Sequence, residues 1–160
     1  MDPICYTPIG VIHSPFTDVA GMPLQSAAAR GVPGRIELLS DYADGTQDLD
    51  GFSHLWLLYH LHRITGFSLT LTPFLDDQPH GVFATRSPKR PNPIGLSVVR
   101  LVRAERSTLH IEDVDVLDGT PLLDIKPYLP DFDVREAERI GWFAGKIHRV
   151  STVRSDDRFR

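Results

Sequence analysis

Apolar and polar positions alternate in short runs separated by turn residues, the pattern of half-buried strands. Ile94–Arg103 and Thr108–Leu117 are rich in β-branched residues, and the polar stretch Ala104–Ser107 between them predicts a hairpin. Ile4–Ile12 is a further β-rich run, but Pro8 and Gly10 interrupt it, which suits a bulged or edge strand. Gly34–Leu39, Phe67–Thr72, Gly81–Thr85, Leu122–Lys126 and Gly145–Val153 are shorter strand candidates. Phe52–Arg63 is strongly apolar and aromatic. His13–Pro33, with three prolines and two glycines, reads as a loop, and Asp118-Gly119-Thr120-Pro121 reads as a turn. Asp41–Gly51 holds four acids and no base, as a turn-rich surface segment would. Only Val134–Ile140 has helical character, with Asp133 placed to cap its start and Gly141 to end it. Many short strands and few helical residues predict a mainly β fold: a small closed or nearly closed β-barrel with one short C-terminal helix. A single domain over residues 1–154 and a frayed polar tail over 155–160 are expected, without internal repeats or a linker.

Composition adds limits. The 160 residues, 41% hydrophobic and 24% charged, suit one soluble globular domain. No apolar run reaches membrane length, and Met1-Asp2-Pro3 opens on mature-looking sequence without a signal peptide. Cys5 is the single cysteine, so no disulfide can form within the chain and no cysteine metal site exists, as expected of a cytoplasmic protein. Cys5 itself reads as packed or incidental rather than nucleophilic.

Charge sharpens the picture at one place. Residues 85–95 read Thr-Arg-Ser-Pro-Lys-Arg-Pro-Asn-Pro-Ile-Gly. Pro88, Pro91 and Pro93 fix their own backbone and push Ser87, Arg90 and Asn92 toward extended conformations, so the loop is stiff. It carries Arg86, Lys89 and Arg90 without an acid, in a chain whose formal net charge is −4. A stiff cationic loop on an acidic protein points to a local anion site, for phosphate or carboxylate, rather than to a generally basic surface. The alternative is a solvated loop whose arginines pair with Asp76 and Asp77.

Two other runs could carry chemistry. On a strand, His54, His60 and His62 would share a face, and His60-x-His62 is a spacing that metal barrels use. No carboxylate follows in Arg63-Ile64-Thr65-Gly66, so hydrogen-bonded histidines near the core are the preferred reading and no metal is expected. In Glu112–Tyr128 the acids Asp113 and Asp115 alternate with Val114 and Val116, placing acids on one face and valines on the other. Grouped carboxylates can hold Mg²⁺ or ribose hydroxyls, or can simply be a solvated face. No Gly-x-Gly-x-x-Gly, P-loop or Gly-x-Ser-x-Gly motif is present.

Taken together, four stretches resemble the TsaA-like, TrmO-type tRNA (adenine-N6)-methyltransferase family. They are Ile9-Gly-Val-Ile-His-Ser-Pro15, Phe52-Ser-His-Leu-Trp56, Val82–Ser97 and Asp118–Pro130. The resemblance covers about residues 7–130. It implies a β-barrel homodimer that uses S-adenosyl-L-methionine without a Rossmann fold and N6-methylates threonylcarbamoyladenosine next to the anticodon of tRNA. By position it implies a methyl-donor site at Pro23, Leu24, Gln25, His54, Leu55, Arg86, Leu96, Val114 and Asp115. Lys89, Arg90 and Asn92 would hold the tRNA or the acceptor's carboxylate. Asp124, Lys126 and Tyr128 would manage the proton released on transfer. The chain departs from the family pattern at Leu24 and His13, where arginines are common, and it stops soon after the barrel, without the C-terminal extension of longer members. A non-catalytic S-adenosylmethionine- or RNA-binding module and a metal-dependent hydrolase are the rival readings.

Overall fold

The structure is a computed structural model and describes residues 2–156. Its centre is a closed antiparallel barrel of six strands. In chain order these are β1 (Gly10–His13), β2 (Pro33–Leu38), β3 (His54–His60), β6 (Ile94–Glu105), β7 (Thr108–Glu112) and β8 (Thr120–Pro127). Around the barrel they run β1-β2-β7-β6-β3-β8, and β1 closes the ring by pairing with both β2 and β8. Two short strands, β4 (Thr70–Leu71) and β5 (His80–Gly81), form a separate two-stranded sheet.

Period-2 alternation builds the core. Leu55, Leu57 and Tyr59 point inward from β3, Val99 and Leu101 from β6, and Leu109 and Ile111 from β7. Ile12, Ile36 and Leu122 complete the interior from the remaining strands. Outward positions such as Ile94 and Leu96 stay exposed. The β6–β7 hairpin turns through Arg106, whose φ is 27°. Gly95 is required where Tyr59 crosses it: a Cβ there would lie 2.0 Å from the Tyr59 ring.

Several elements differ from the sequence expectations. Residues 2–9 are not strand, and Cys5 is exposed, so the first strand is only the last part of Ile4–Ile12. The run from Thr108 leaves the strand at Glu112, because Asp113 takes a left-handed φ of 69° and its carboxylate accepts the Gly31 amide at 2.7 Å. The alternation beyond it survives, with Val114 and Val116 buried. The helix expected over Val134–Ile140 is instead α1 (Pro130–Asp133), four residues opened by Pro130. Asp133 sits inside it, accepting the Leu129 amide at 2.8 Å. Residues 134–140 are all exposed, so no packing repays the cost of nucleating a helix there. Gly145–Val153 is not a strand but contains a 3-10 turn, Ile147–Arg149. A closed barrel has no open edge for another strand to join. Ser155, expected to begin a frayed tail, is anchored by backbone bonds to Gly21 and Met22, while residues 157–160 lie outside the described residues.

Candidate active site

A cavity of about 890 Å³ opens at one end of the barrel, where β3 runs out and β6 begins. Its barrel side is formed by Tyr59, Leu61, Gly95, Leu96, Asp115 and Val116. Two irregular segments close over it, the loop 19–27 and the proline-rich loop 85–90. That volume is in the range of sites that enclose a cofactor-sized molecule.

The polar groups are few and specific. Arg86 Nη1 donates to Gln25 Oε1 at 2.6 Å, so the two loops meet through a charged donor. Ser97 Oγ donates to Asp115 Oδ1 at 2.6 Å, and the Tyr59 hydroxyl lies 2.9 Å from Ser97 Oγ. Because the Ser97 proton is spent on the carboxylate, Tyr59 must be the donor in the second bond. Burial, with the Asp115 charge beside it, pushes the Tyr59 phenol well above its ordinary range and keeps that proton in place. Burial likewise raises Asp115 from 3.8 to about 6, against the pull of Ser97, of backbone amides and of Arg86. His62, at the cavity wall, is shifted down by burial and then by Arg63 and His60, which favours its neutral form. Ser87 Oγ is buried without a hydrogen-bond partner.

The proline-rich loop is stiffened from within as well as by its prolines. Arg90 Nη1 donates to its own loop's carbonyls, Thr85 at 3.2 Å and Ser87 at 3.1 Å. The expected alternative, pairing of the loop's arginines with Asp76, does not occur: Asp76 binds His80 and Lys146 instead.

Of the residues singled out from sequence, Pro23, Leu24, Gln25, Arg86, Arg90, Leu96 and Asp115 line the cavity. Leu55 and Val114 are fully buried core residues and do not. His54 stands at the far end of β3, bonded to Ser53 at 2.9 Å. Lys89 and Asn92 belong to the loop but not to the cavity lining. Asp124, Lys126 and Tyr128 lie together on the outside of the barrel. Asp124 pairs with Lys126 at 2.8 Å, and the Tyr128 ring packs 5.8 Å from that of Trp56. Sequence reasoning missed Arg63 and read His62 only as a hydrogen-bonded histidine near the core; both line the cavity just past β3. A signal was available, since the apolar run that ends at Leu61 turns polar there. The three histidines do not converge, and among the described residues no group of three or more His, Cys, Asp or Glu could hold a metal ion.

A closed six-stranded barrel with a mouth cavity built from a Gln–Arg loop contact and a half-buried acid defines a ligand-binding barrel of the non-Rossmann kind. The chain belongs to the tRNA-methyltransferase O family: the model of that family's N-terminal domain matches residues 11–134. A probable S-adenosyl-L-methionine-binding protein of Pyrococcus abyssi is 52% identical over 156 residues, covering 98% of this chain and 85% of that protein. The tRNA (adenine(37)-N6)-methyltransferase of Escherichia coli is 40% identical over 132 residues, 76% of this chain and 56% of the enzyme. Among solved structures, TrmO from Pseudomonas aeruginosa superposes with a TM-score of 0.74 at 38% identity, over 89% of this chain and 62% of that one. The chain thus spans little more than half the length of these bacterial relatives.

The raised Asp115 titration has a measurable consequence. A carboxyl whose folded pKa lies above its unfolded value contributes stability that is complete below about pH 4 and is lost as pH rises through about 6. The rise from 3.8 to about 6 corresponds to at most roughly 3 kcal/mol. Asp115→Asn removes this dependence. Urea unfolding of both proteins from pH 4 to 7.5 should show the variant gaining on the parent across that window, and a constant difference would refute the assignment.

Proposed function

We propose that this protein transfers a methyl group from S-adenosylmethionine to N6 of threonylcarbamoyladenosine beside the anticodon of a tRNA, acting in the cytoplasm as a homodimer. Family membership supports the coarser part, a methyltransferase that draws on S-adenosylmethionine. The observation that carries the reading is the convergence of Gln25, Arg86 and Asp115 on one cavity.

These residues fit the donor's chemistry. Arg86 is suited to the amino-acid carboxylate, and Asp115 to ribose hydroxyls or the sulfonium charge. The apolar remainder of the wall suits the adenine. When bound, S-adenosylmethionine supplies an electrophilic methyl on a positively charged sulfur. The acceptor nitrogen forms the new N–C bond, the C–S electron pair stays on sulfur, and the N–H proton leaves. In-line displacement depends on alignment, so a cavity with stiff walls is the main contribution the protein makes.

The proton is the task we assign to Asp124, Lys126 and Tyr128. All three are outside the cavity; Asp124 is connected to its rim by one row across the wall, and Tyr128 lies further along beside His54 and Trp56. Leu96 on β6 pairs with Leu58 on β3, and Leu58 pairs with Asp124 on β8. Two strand spacings separate Leu96 from Asp124, about 10 Å. An acceptor base lying along this outer face would reach from the cavity edge to the carboxylate. Lys89, Arg90 and Asn92 are assigned to the RNA. No helix of the described residues is long and apolar enough to cross a membrane.

The deciding experiment incubates the protein with labelled S-adenosylmethionine and tRNA from a methylation-deficient strain, followed by nucleoside mass spectrometry. A methyl mass gain on the modified adenosine is expected. Donor binding without any gain would leave a binding module. Tyr128→Phe should slow the gain by about tenfold or more if the phenol handles the proton; the parental rate would remove it from the mechanism. Light scattering should give twice the chain mass, and a monomer would overturn the dimer.

The loop should divide by function. Arg86→Ala should weaken S-adenosylmethionine binding in calorimetry. Lys89→Ala should leave donor binding intact and lower the salt slope of tRNA binding by about one. Arg90→Ala should affect both, because its guanidinium also props the loop.

A further inference from the structure

The C-terminal segment beyond the matched family domain is bound at four separate points to the segments around the cavity. The Trp142 indole N–H donates to the Ala84 carbonyl at 2.7 Å, and its ring stacks on His80, centroids 4.6 Å apart and 14° from parallel. Phe143 stacks on Trp142 at 3.9 Å. Lys146 Nζ is paired with the Asp76 carboxylate, whose side chain is only 4% exposed and also receives His80 Nε2 at 3.0 Å. Arg149 Nη1 donates to the Leu75 carbonyl at 3.3 Å. Ser155 ends the series: its hydroxyl accepts the Met22 amide at 2.9 Å and donates to the Val19 carbonyl, while its backbone bonds to Gly21 and Met22.

These anchors have a common geometry. Ser155 grips the loop that carries Gln25, and Trp142 grips the segment that runs into Arg86. The chain between them therefore spans the two loops that the Arg86–Gln25 bond also links. Trp142, Phe143, Ile147 and Val150 from this span line the cavity itself. Nothing in the barrel's strand pairing requires the segment, and its anchors go to loops and to the β4–β5 sheet. Ion pairing with Lys146 and the bond to His80 hold the Asp76 carboxyl far below the usual carboxylate range, so the anchor stays charged near neutrality.

We propose that residues 140–156 form a strap that completes the ligand pocket, with Trp142 and Phe143 as the aromatic wall against which the bound molecule packs. This inference rests on reading the cavity as the S-adenosylmethionine site. A purine ring or a sulfonium cation is the chemistry such a wall accepts. Asp76, His80 and Lys146 act as positioning residues, since Asp76 does not itself line the cavity.

Calorimetry of the full chain with S-adenosylmethionine tests it. Trp142→Ala and Phe143→Ala should each raise Kd by about tenfold, and Asp76→Asn by several-fold, through loss of aromatic contact and of the anchor. A second measurement avoids variants: trypsin cleavage of the parent after Lys146 and Arg149 should slow when S-adenosylmethionine is added. If the parent binds and all three variants bind within twofold of it, the strap is overturned and the donor site stands. Cleavage at Lys146 that is as fast with ligand as without it also overturns the strap. If the parent binds no S-adenosylmethionine, the donor reading fails, and the strap's role fails with it.

Discussion

Closure of the barrel through β1 is the constraint on which the remaining structure depends. This four-residue strand pairs with β2 on one side and β8 on the other, and so leaves the main sheet without an edge. Once every strand is paired on both sides, later chain cannot extend the sheet. Residues 141–156 have apolar side chains to bury but no ladder to join. They pack instead over the loops at the barrel mouth, where backbone carbonyls such as Ala84 and Leu75 are available. The missing strand at Gly145–Val153 and the presence of the strap are thus one consequence of closure.

Closure also decides where chemistry can lie. The interior is filled by Ile12, Ile36, Leu57, Leu109 and their neighbours, leaving no central channel. Polar function is confined to the mouth and to the outer wall. At the mouth, Tyr59 is the last inward residue of β3 and is seated against Gly95, so its hydroxyl reaches Ser97 and through it Asp115. The packing of one aromatic ring against one glycine thus brings the phenol into the hydrogen-bond chain that ends on the cavity's half-buried acid. Electrostatics follows: the acid is raised because it sits at the edge of an apolar core, and Arg86 only partly offsets that.

Much of this was legible in the sequence, where local pattern decided the outcome. The β6–β7 hairpin follows from its β-branched runs and polar turn, whereas the outward Leu96 and inward Ser97 run against the local apolar–polar pattern. The stiff cationic loop was legible from its prolines, and Gln25, Arg86 and Asp115 do meet at one cavity. What was not legible depended on distant partners. Val134–Ile140 has helical residues but nothing to pack against, and His62 and Arg63 gain their place only because β3 ends at the mouth. Asp76, in sequence a neighbour for the loop's arginines, is taken by Lys146, seventy positions away. No local pattern reports a pairing of that separation.

The two polar contacts of the cavity differ in how firmly they are held. Ser97 and Tyr59 stand on barrel strands, so the Asp115 side of the site inherits the rigidity of the ladder. Arg86 and Gln25 stand on loops that the barrel does not pair. Prolines and the Arg90 bonds to Thr85 and Ser87 stiffen one of those loops internally, but they do not fix it relative to the other. A reaction governed by alignment needs both walls held to within a fraction of an ångström. The strap's grip on Ala84 at one loop and on Met22 at the other supplies that relation. In this chain the C-terminal segment does for the mouth what β1 does for the barrel: it adds a second tie between two elements otherwise joined through the Arg86–Gln25 contact.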